Sequence, residues 1–113
     1  MASIDEIIAS GQSPSGTFLI SPEDLEVSLP YIRQAGLYVS SMESYIIEGD
    51  KEITTFDFCL LGLDEREDVN NGYNSNISFD IVLELIKSAK EANKKIMFQV
   101  WLDDISNLDG VTG

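Results

Sequence analysis

The sequence predicts an α+β fold, a ferredoxin-like βαββαβ sheet with an added N-terminal helix, in one small domain over residues 1–113. Segments whose apolar residues recur at helical spacing alternate with short segments rich in β-branched and aromatic residues, in the order that this arrangement requires. The chain has 113 residues, of which 43% are hydrophobic. That length suffices for one core and leaves no room for a second domain.

Residues 3–10 (SIDEIIAS) predict a leading helix. Ser3 is a favourable N-cap residue, acidic residues occupy the first turn, and isoleucines recur at helical spacing. Gly11 is expected to end this helix. After a turn, residues 17–20 (TFLI) predict a short β-strand.

A second helix is predicted to begin with Ser21 as its N-cap and Pro22 at its first position. Apolar residues continue at helical spacing, and Gly36 follows as the expected C-cap. Pro30 lies inside this segment, where a proline removes a backbone hydrogen bond and costs about 3 kcal/mol. We therefore expect a kink at this position or two short helices.

Residues 37–48 and 51–63 predict a β-hairpin whose two-residue turn is formed by Gly49 and Asp50. The return strand has almost no polar face, so we expect it to lie in the middle of the core. The only cysteine of the chain, Cys59, belongs to this strand and is expected to be a buried thiol.

Residues 78–93 predict a helix with Ser78 as its N-cap and with lysines at its carboxyl end. Its apolar face consists of Phe79, Val82, Leu85, Ile86 and Ala89. Residues 96–102 (IMFQVWL) predict the last strand, whose even-numbered residues all face one side of the sheet. Asp103 and Asp104 mark the end of this strand, and the tail after them is expected to be frayed.

Negative charge dominates the surface that the sequence predicts. Twenty acidic residues against seven basic residues give a net charge of −13. Such a field repels nucleic acid and anionic membranes, and it speeds the encounter with a basic protein. The alternative is that the acidic residues only keep the protein soluble.

The predicted topology gathers several of these acidic residues at one edge of the sheet. Right-handed crossovers make the third and fourth strands parallel, so both strands leave the sheet at the same edge. The predicted acidic edge consists of Asp64, Glu65, Glu67, Asp68, Asp103 and Asp104. Tyr73 and Trp101 lie close to it in sequence and could anchor an interface, or they could pack beneath the loop. At the opposite edge, Lys94 and Lys95 are expected to face the hairpin tip.

The residues that most catalytic and metal sites need are missing. The chain has no histidine and one cysteine, which excludes Ser-His-Asp and Cys-His catalysis and the common zinc sites. It contains no P-loop and no GxGxxG motif, and residues 68–79 depart from the EF-hand pattern, although a looser calcium site stays open. We expect no enzymatic activity, no cofactor and no metal. No apolar run could span a membrane and no secretory signal is visible, so a cytoplasmic location is expected.

The acidic segment DEREDVNNGYNSN (residues 64–76) and the Asp103-Asp104 pair, in a small domain without catalytic residues, resemble bacterial immunity proteins. Those proteins neutralise toxic nucleases, including the nucleases of contact-dependent growth inhibition systems. The segment SFDIVLELIKSAKEANKKIMFQV (residues 78–100) is similar in pattern to the end of the barstar family. A barstar-like α/β fold is therefore the alternative to the ferredoxin-like fold, although the strand count departs from barstar's mainly parallel sheet.

The resemblance implies an inhibitor that binds a basic protein toxin, a nuclease, by placing carboxylates where the toxin's active site holds phosphates. The residues expected to bind the partner are Asp64, Glu65, Glu67, Asp68, Tyr73, Asp103 and Asp104. No direct contact with nucleic acid or membrane is expected, and the protein is expected to be a monomer. Two alternatives stay open: a nucleic-acid mimic that inhibits a restriction or CRISPR enzyme, and a non-catalytic adaptor subunit.

Overall fold

The computed structural model describes the backbone of residues 3–60 and 74–108, and the side chains of these residues except 56–60 and 108. A three-stranded sheet is packed against helices on one side. Along the described chain the elements are α1 (Ile4–Gly11), α2 (Pro22–Gln34), β1 (Leu37–Glu48), β2 (Lys51–Leu60), α3 (Ser75–Glu91), β3 (Ile96–Asp104) and α4 (Ile105–Leu108). The predicted α+β class is confirmed.

The strand order of the described sheet is β2-β1-β3, and both pairings are antiparallel. Since β2 and β3 both run opposite to β1, they are parallel to each other, as predicted. The segment predicted as the first strand makes a single antiparallel bridge, from Ile20 to Phe98 on the outer side of β3. The ferredoxin-like strand order is not confirmed by these pairings. The barstar-like alternative finds no support either, because neighbouring strands of the described sheet are antiparallel.

The central strand of the described sheet is β1. β2 lies at the edge of the described sheet, and its first residues, from Lys51 to Thr54, are exposed. The hairpin itself is confirmed, with Glu48 paired to Lys51 across the turn. The apolar side chains of residues 56–60, including the thiol of Cys59, lie outside the description. Apolar composition therefore predicted the strand correctly, and the expected place of its apolar residues in the middle of the core stays a prediction.

Both N-terminal helices begin where the sequence predicts. Ser3 and Ser21 accept hydrogen bonds from the backbone N–H of Glu6 and Asp24, each at 3.1 Å. The segment does not form two short helices, since α2 continues through Pro30 to Gln34. Leu29 and Ile32 are buried on either side of the exposed proline. Their burial offsets the hydrogen bond that proline removes.

The helix α3 begins earlier than predicted. Asn74 is its N-cap, with Oδ1 accepting from the N–H of Ile77 at 3.1 Å, so Ser78 is already inside the helix. Ser78 is buried and donates its hydroxyl to the carbonyl of Val39 in β1 at 2.9 Å. The tertiary contact with the sheet thus decides the role of this serine.

The core lies between the helices and one face of the sheet. Burial alternates strictly from Ile96 to Leu102 in β3, as the sequence predicts, and strand pairing continues two residues further through Asp103 and Asp104. The most buried large side chains include Phe98, Ile32, Met42, Ile86 and Val82. Among the described side chains, no buried nitrogen or oxygen lacks a hydrogen-bond partner.

Candidate interaction surface

The structure describes two of the seven residues predicted to bind a partner. Asp103 and Asp104 are the last residues of β3 and pair with Tyr38 and Leu37 of β1. The other five, Asp64, Glu65, Glu67, Asp68 and Tyr73, lie outside the described residues. The gathering of six carboxylates at one edge therefore stays a prediction. The described end of β2 and the end of β3 do run toward the same end of β1, as that prediction requires.

The two described aspartates differ in what they can offer a partner. Asp103 is half-buried, and its Oδ1 accepts from the N–H of Asp104 and from Nδ2 of Asn107, both at 2.8 Å. These bonds hold the start of α4, while the N–H of Ile105 donates to the carbonyl of Gly36 at 2.8 Å. Asp104 is exposed. Asp103 consequently has a structural role, and Asp104 is the more accessible of the two.

The first turns of α3 add carboxylates to this end of the sheet. The bond from Ser78 to Val39 fixes the helix there, because Val39 pairs with Leu102, next to Asp103. Asp80 follows two residues later and is exposed. The acidic edge predicted from the sequence did not include Asp80.

The opposite end of the sheet carries basic residues. The N–H of Ile47 donates to the carbonyl of Lys95 at 2.9 Å, which places the start of β3 beside the hairpin. Lys94 and Lys95 therefore lie near the hairpin tip, as the sequence predicts, where Glu48 and Glu52 are exposed. The charge of the described chain is thus uneven from one end of the sheet to the other.

Trp101, which the sequence left between two roles, is half-buried beneath the turn before the first bridge. Its Nε1 donates to the carbonyl of Pro14 at 3.1 Å, and a Cβ on Gly16 would lie 2.6 Å from its Cε2. The neighbouring Gln99 donates its Nε2 to the carbonyl of Ser15 at 2.8 Å. Trp101 therefore packs against the turn of residues 14–16, whereas its packing beneath the acidic loop stays a prediction.

The flank of α3 that faces α2 forms a shallow cleft of about 360 Å³. Arg33 lies over the ring of Phe79, 4.2 Å from its centroid, and donates from Nη1 to Oδ1 of Asn76 at 2.7 Å. Lys90 of α3 pairs with Glu26 of α2 at 2.7 Å. Basic groups from both helices therefore offset negative charge on this flank.

The other flank of α3 was missed by sequence reasoning. Ile77, Ile81 and Leu85 lie four residues apart, and with Asp80 and Glu84 they line an open cleft of about 320 Å³. We call the three aliphatic residues, Ile77, Ile81 and Leu85, the α3 stripe. The four-residue spacing was a usable signal, but a helix predicted to begin at Ser78 excluded Ile77, and Leu85 was assigned to the buried face. The capping ability of Asn74 would have restored the first of these residues.

The described residues show neither a metal-binding group nor a membrane-spanning segment. Within them, no three side chains of the ligating types gather closely enough to hold a metal ion. No helix in this part of the chain has the length and the apolar character needed to cross a membrane.

Comparisons of the chain with protein-family models, with curated protein sequences and with solved structures give no match.

Proposed function

We propose that this protein is an acidic inhibitor that binds and neutralises a basic protein toxin, a nuclease, in the bacterial cytoplasm. It would act as immunity proteins of contact-dependent growth inhibition systems act, by occlusion and without a chemical step. The observation that carries the proposal is uncompensated negative charge. The chain has twenty acidic and seven basic residues, and the described side chains form one ion pair, between Lys90 and Glu26.

Negative charge of this size opposes folding through repulsion, and a basic partner removes that cost on binding. Complementary charge also accelerates association and fixes the orientation of the two proteins. In this mechanism the carboxylates take the positions that phosphates occupy in the toxin's active site. The proposed contact residues remain Asp64, Glu65, Glu67, Asp68, Tyr73, Asp103 and Asp104, with Asp104 the accessible member of the described pair.

One observation favours a second candidate, a nucleic-acid mimic that inhibits a restriction or CRISPR enzyme. A mimic needs carboxylates over a long face, and exposed carboxylates also occur far from the predicted acidic edge. Asp5 and Glu6 in α1 and Glu48, Asp50 and Glu52 at the hairpin are exposed. The lysines beside the hairpin interrupt such a face, which is why the inhibitor of a basic toxin is preferred.

Nuclease inhibition tests the proposal directly. The protein encoded by the reading frame beside this chain's gene is purified, and its cleavage of DNA and RNA is measured with and without the chain. A four-residue variant changes Asp64, Glu65, Glu67 and Asp68 to lysine. We expect the wild type to abolish cleavage and this variant to lose at least about tenfold in affinity, since charge pairs in a desolvated interface contribute more than 1.4 kcal/mol.

A matched variant separates the site from the net charge. Changing Glu48, Asp50, Glu52 and Glu91 to lysine gives the same change in charge at the opposite end of the sheet. It is expected to slow association modestly and to leave inhibition intact. Equal loss in both variants would remove the proposed site. Failure of the wild type to inhibit a basic nuclease would remove the proposed function.

A further inference from the structure

The α3 stripe is an apolar surface with two carboxylates, Asp80 and Glu84, along its outer side. Successive residues of a helix are rotated by about 100°. The buried positions of α3 therefore point to the sheet, and Ile77, Ile81 and Leu85 lie beyond them on the flank opposite α2. Ile77 is 38% exposed, and the other two are half-buried against the core. The stripe is thus fixed by the core on one side and open on the other.

Two carboxylates border the stripe on its outer side. Asp80 and Glu84 are both exposed and lie four residues apart, a spacing at which like charges destabilise a helix. Neither has an ion-pair partner among the described side chains. Lys87 lies one turn beyond Glu84, but on this side of α3 the structure shows no ion pair like the one that Lys90 forms with Glu26.

We infer that the α3 stripe is the docking site for a basic amphipathic helix of a partner protein. The inference rests on the proposed function, because it names the segment of the toxin that this surface would hold. Aliphatic residues spaced by one turn on the partner fit between Ile77, Ile81 and Leu85. Lysine or arginine residues on the adjacent row of the same helix reach Asp80 and Glu84.

The charge of the border argues against a second copy of this chain as the occupant. In a two-fold symmetric contact, the same patch of each protomer faces its counterpart. Asp80 and Glu84 of one copy would then approach the same carboxylates of the other. Like charges brought together across an interface cost binding free energy. A partner of opposite charge fits the stripe and its border together.

The length of the stripe also suits a helix. From Ile77 to Leu85 the helix α3 rises about 12 Å, at 1.5 Å per residue. This length matches about two turns of a partner helix, which present apolar residues at positions i, i+4 and i+7 or i+8. The stripe is therefore a limited contact that supplies orientation and part of the affinity.

A synthetic peptide tests the site without any toxin. The probe is a peptide of about 18 residues, roughly five helical turns, made of leucine on one face and lysine on the other. Chemical-shift changes in two-dimensional NMR spectra of the isotope-labelled full chain are expected to be largest from Ile77 to Ser88. A peptide with glutamate in place of lysine is expected not to bind.

Charge reversal provides the matched variants. Asp80→Lys with Glu84→Lys should weaken peptide binding by about tenfold or more, since two charge pairs are replaced by repulsion. Asp5→Lys with Glu6→Lys makes the same change in net charge on α1 and should weaken it by no more than roughly threefold. All four side chains are exposed, so both variants are expected to keep the dispersed spectrum of the folded protein.

Three results would overturn the inference. One is an equal loss of affinity in the two variants, which would reduce binding to net charge. Another is a set of chemical-shift changes centred on Leu83, which would place the peptide in the cleft between α3 and α2. A third is contact in the free protein between the methyl groups of the stripe and another segment of this chain. The nuclease assay separates the two proposals: undiminished inhibition by the Asp80→Lys, Glu84→Lys variant removes the docking site and leaves the inhibitor function standing.

Discussion

Two apolar sets run along α3, and they differ in what covers them. The buried apolar set is Phe79, Val82, Ile86 and Ala89. It is sealed between the sheet and α2, and its members are exposed by at most 4%. The stripe of Ile77, Ile81 and Leu85 repeats similar side chains on the flank opposite α2 but stays partly open. Similar chemistry on one helix therefore has two different consequences, stability for one set and an available surface for the other.

The largest difference between the two sets is expected when one isoleucine of each set is changed to alanine. Ile86 is fully buried, so Ile86→Ala removes packing and leaves a cavity, with an expected loss of about 2–5 kcal/mol in the free energy of unfolding. Ile77→Ala at the partly exposed position is expected to change it by no more than about 0.5 kcal/mol. Urea unfolding followed by circular dichroism measures both values. Similar losses in the two variants would show that the stripe is part of the core.

The hydroxyl groups of α3 give a smaller contrast of the same kind. Ser78→Ala removes the buried donor to the carbonyl of Val39 and is expected to cost about 1–3 kcal/mol of unfolding free energy. Ser88 lies beside the stripe and is exposed, so Ser88→Ala should have little effect. The same unfolding experiment compares them. A neutral Ser78→Ala variant would mean that the contact does not anchor α3 to β1.

Ser78 also shows why part of the fold could be predicted from the sequence and part could not. Local signals were sufficient where nothing competes with them: Ser3 and Ser21 cap their helices, and alternation along β3 identified its buried side. At the start of α3, Asn74 and Ser78 can both cap a helix. The choice depends on whether the serine hydroxyl is needed by the sheet, and only the tertiary structure reveals that need.

Strand order posed a similar problem. Apolar composition predicted the strand β2 itself, but the central position of β1 in the described sheet follows from the pairing of β3 with its second edge. That pairing joins residues about sixty positions apart, such as Met42 and Val100, and no local pattern encodes it. For the candidate surface, composition predicted acidic character, whereas the bonds that occupy Asp103 and the open stripe on α3 depend on packing.

The smallest expected effect concerns the ion pair between α3 and α2, on the flank opposite the α3 stripe. Lys90 and Glu26 join α3 to α2 at 2.7 Å, with side chains 34% and 47% exposed. Solvent screens a pair this accessible, so a double-mutant cycle with Lys90→Ala and Glu26→Ala should give a coupling of about 0.2–1 kcal/mol that falls as salt is added. A coupling above roughly 2 kcal/mol would indicate a far less solvated pair. A small coupling energy would mean that Lys90 neutralises negative charge on the flank facing α2 without holding the two helices together. The α3 stripe would then differ from that flank in its charge and not in its rigidity.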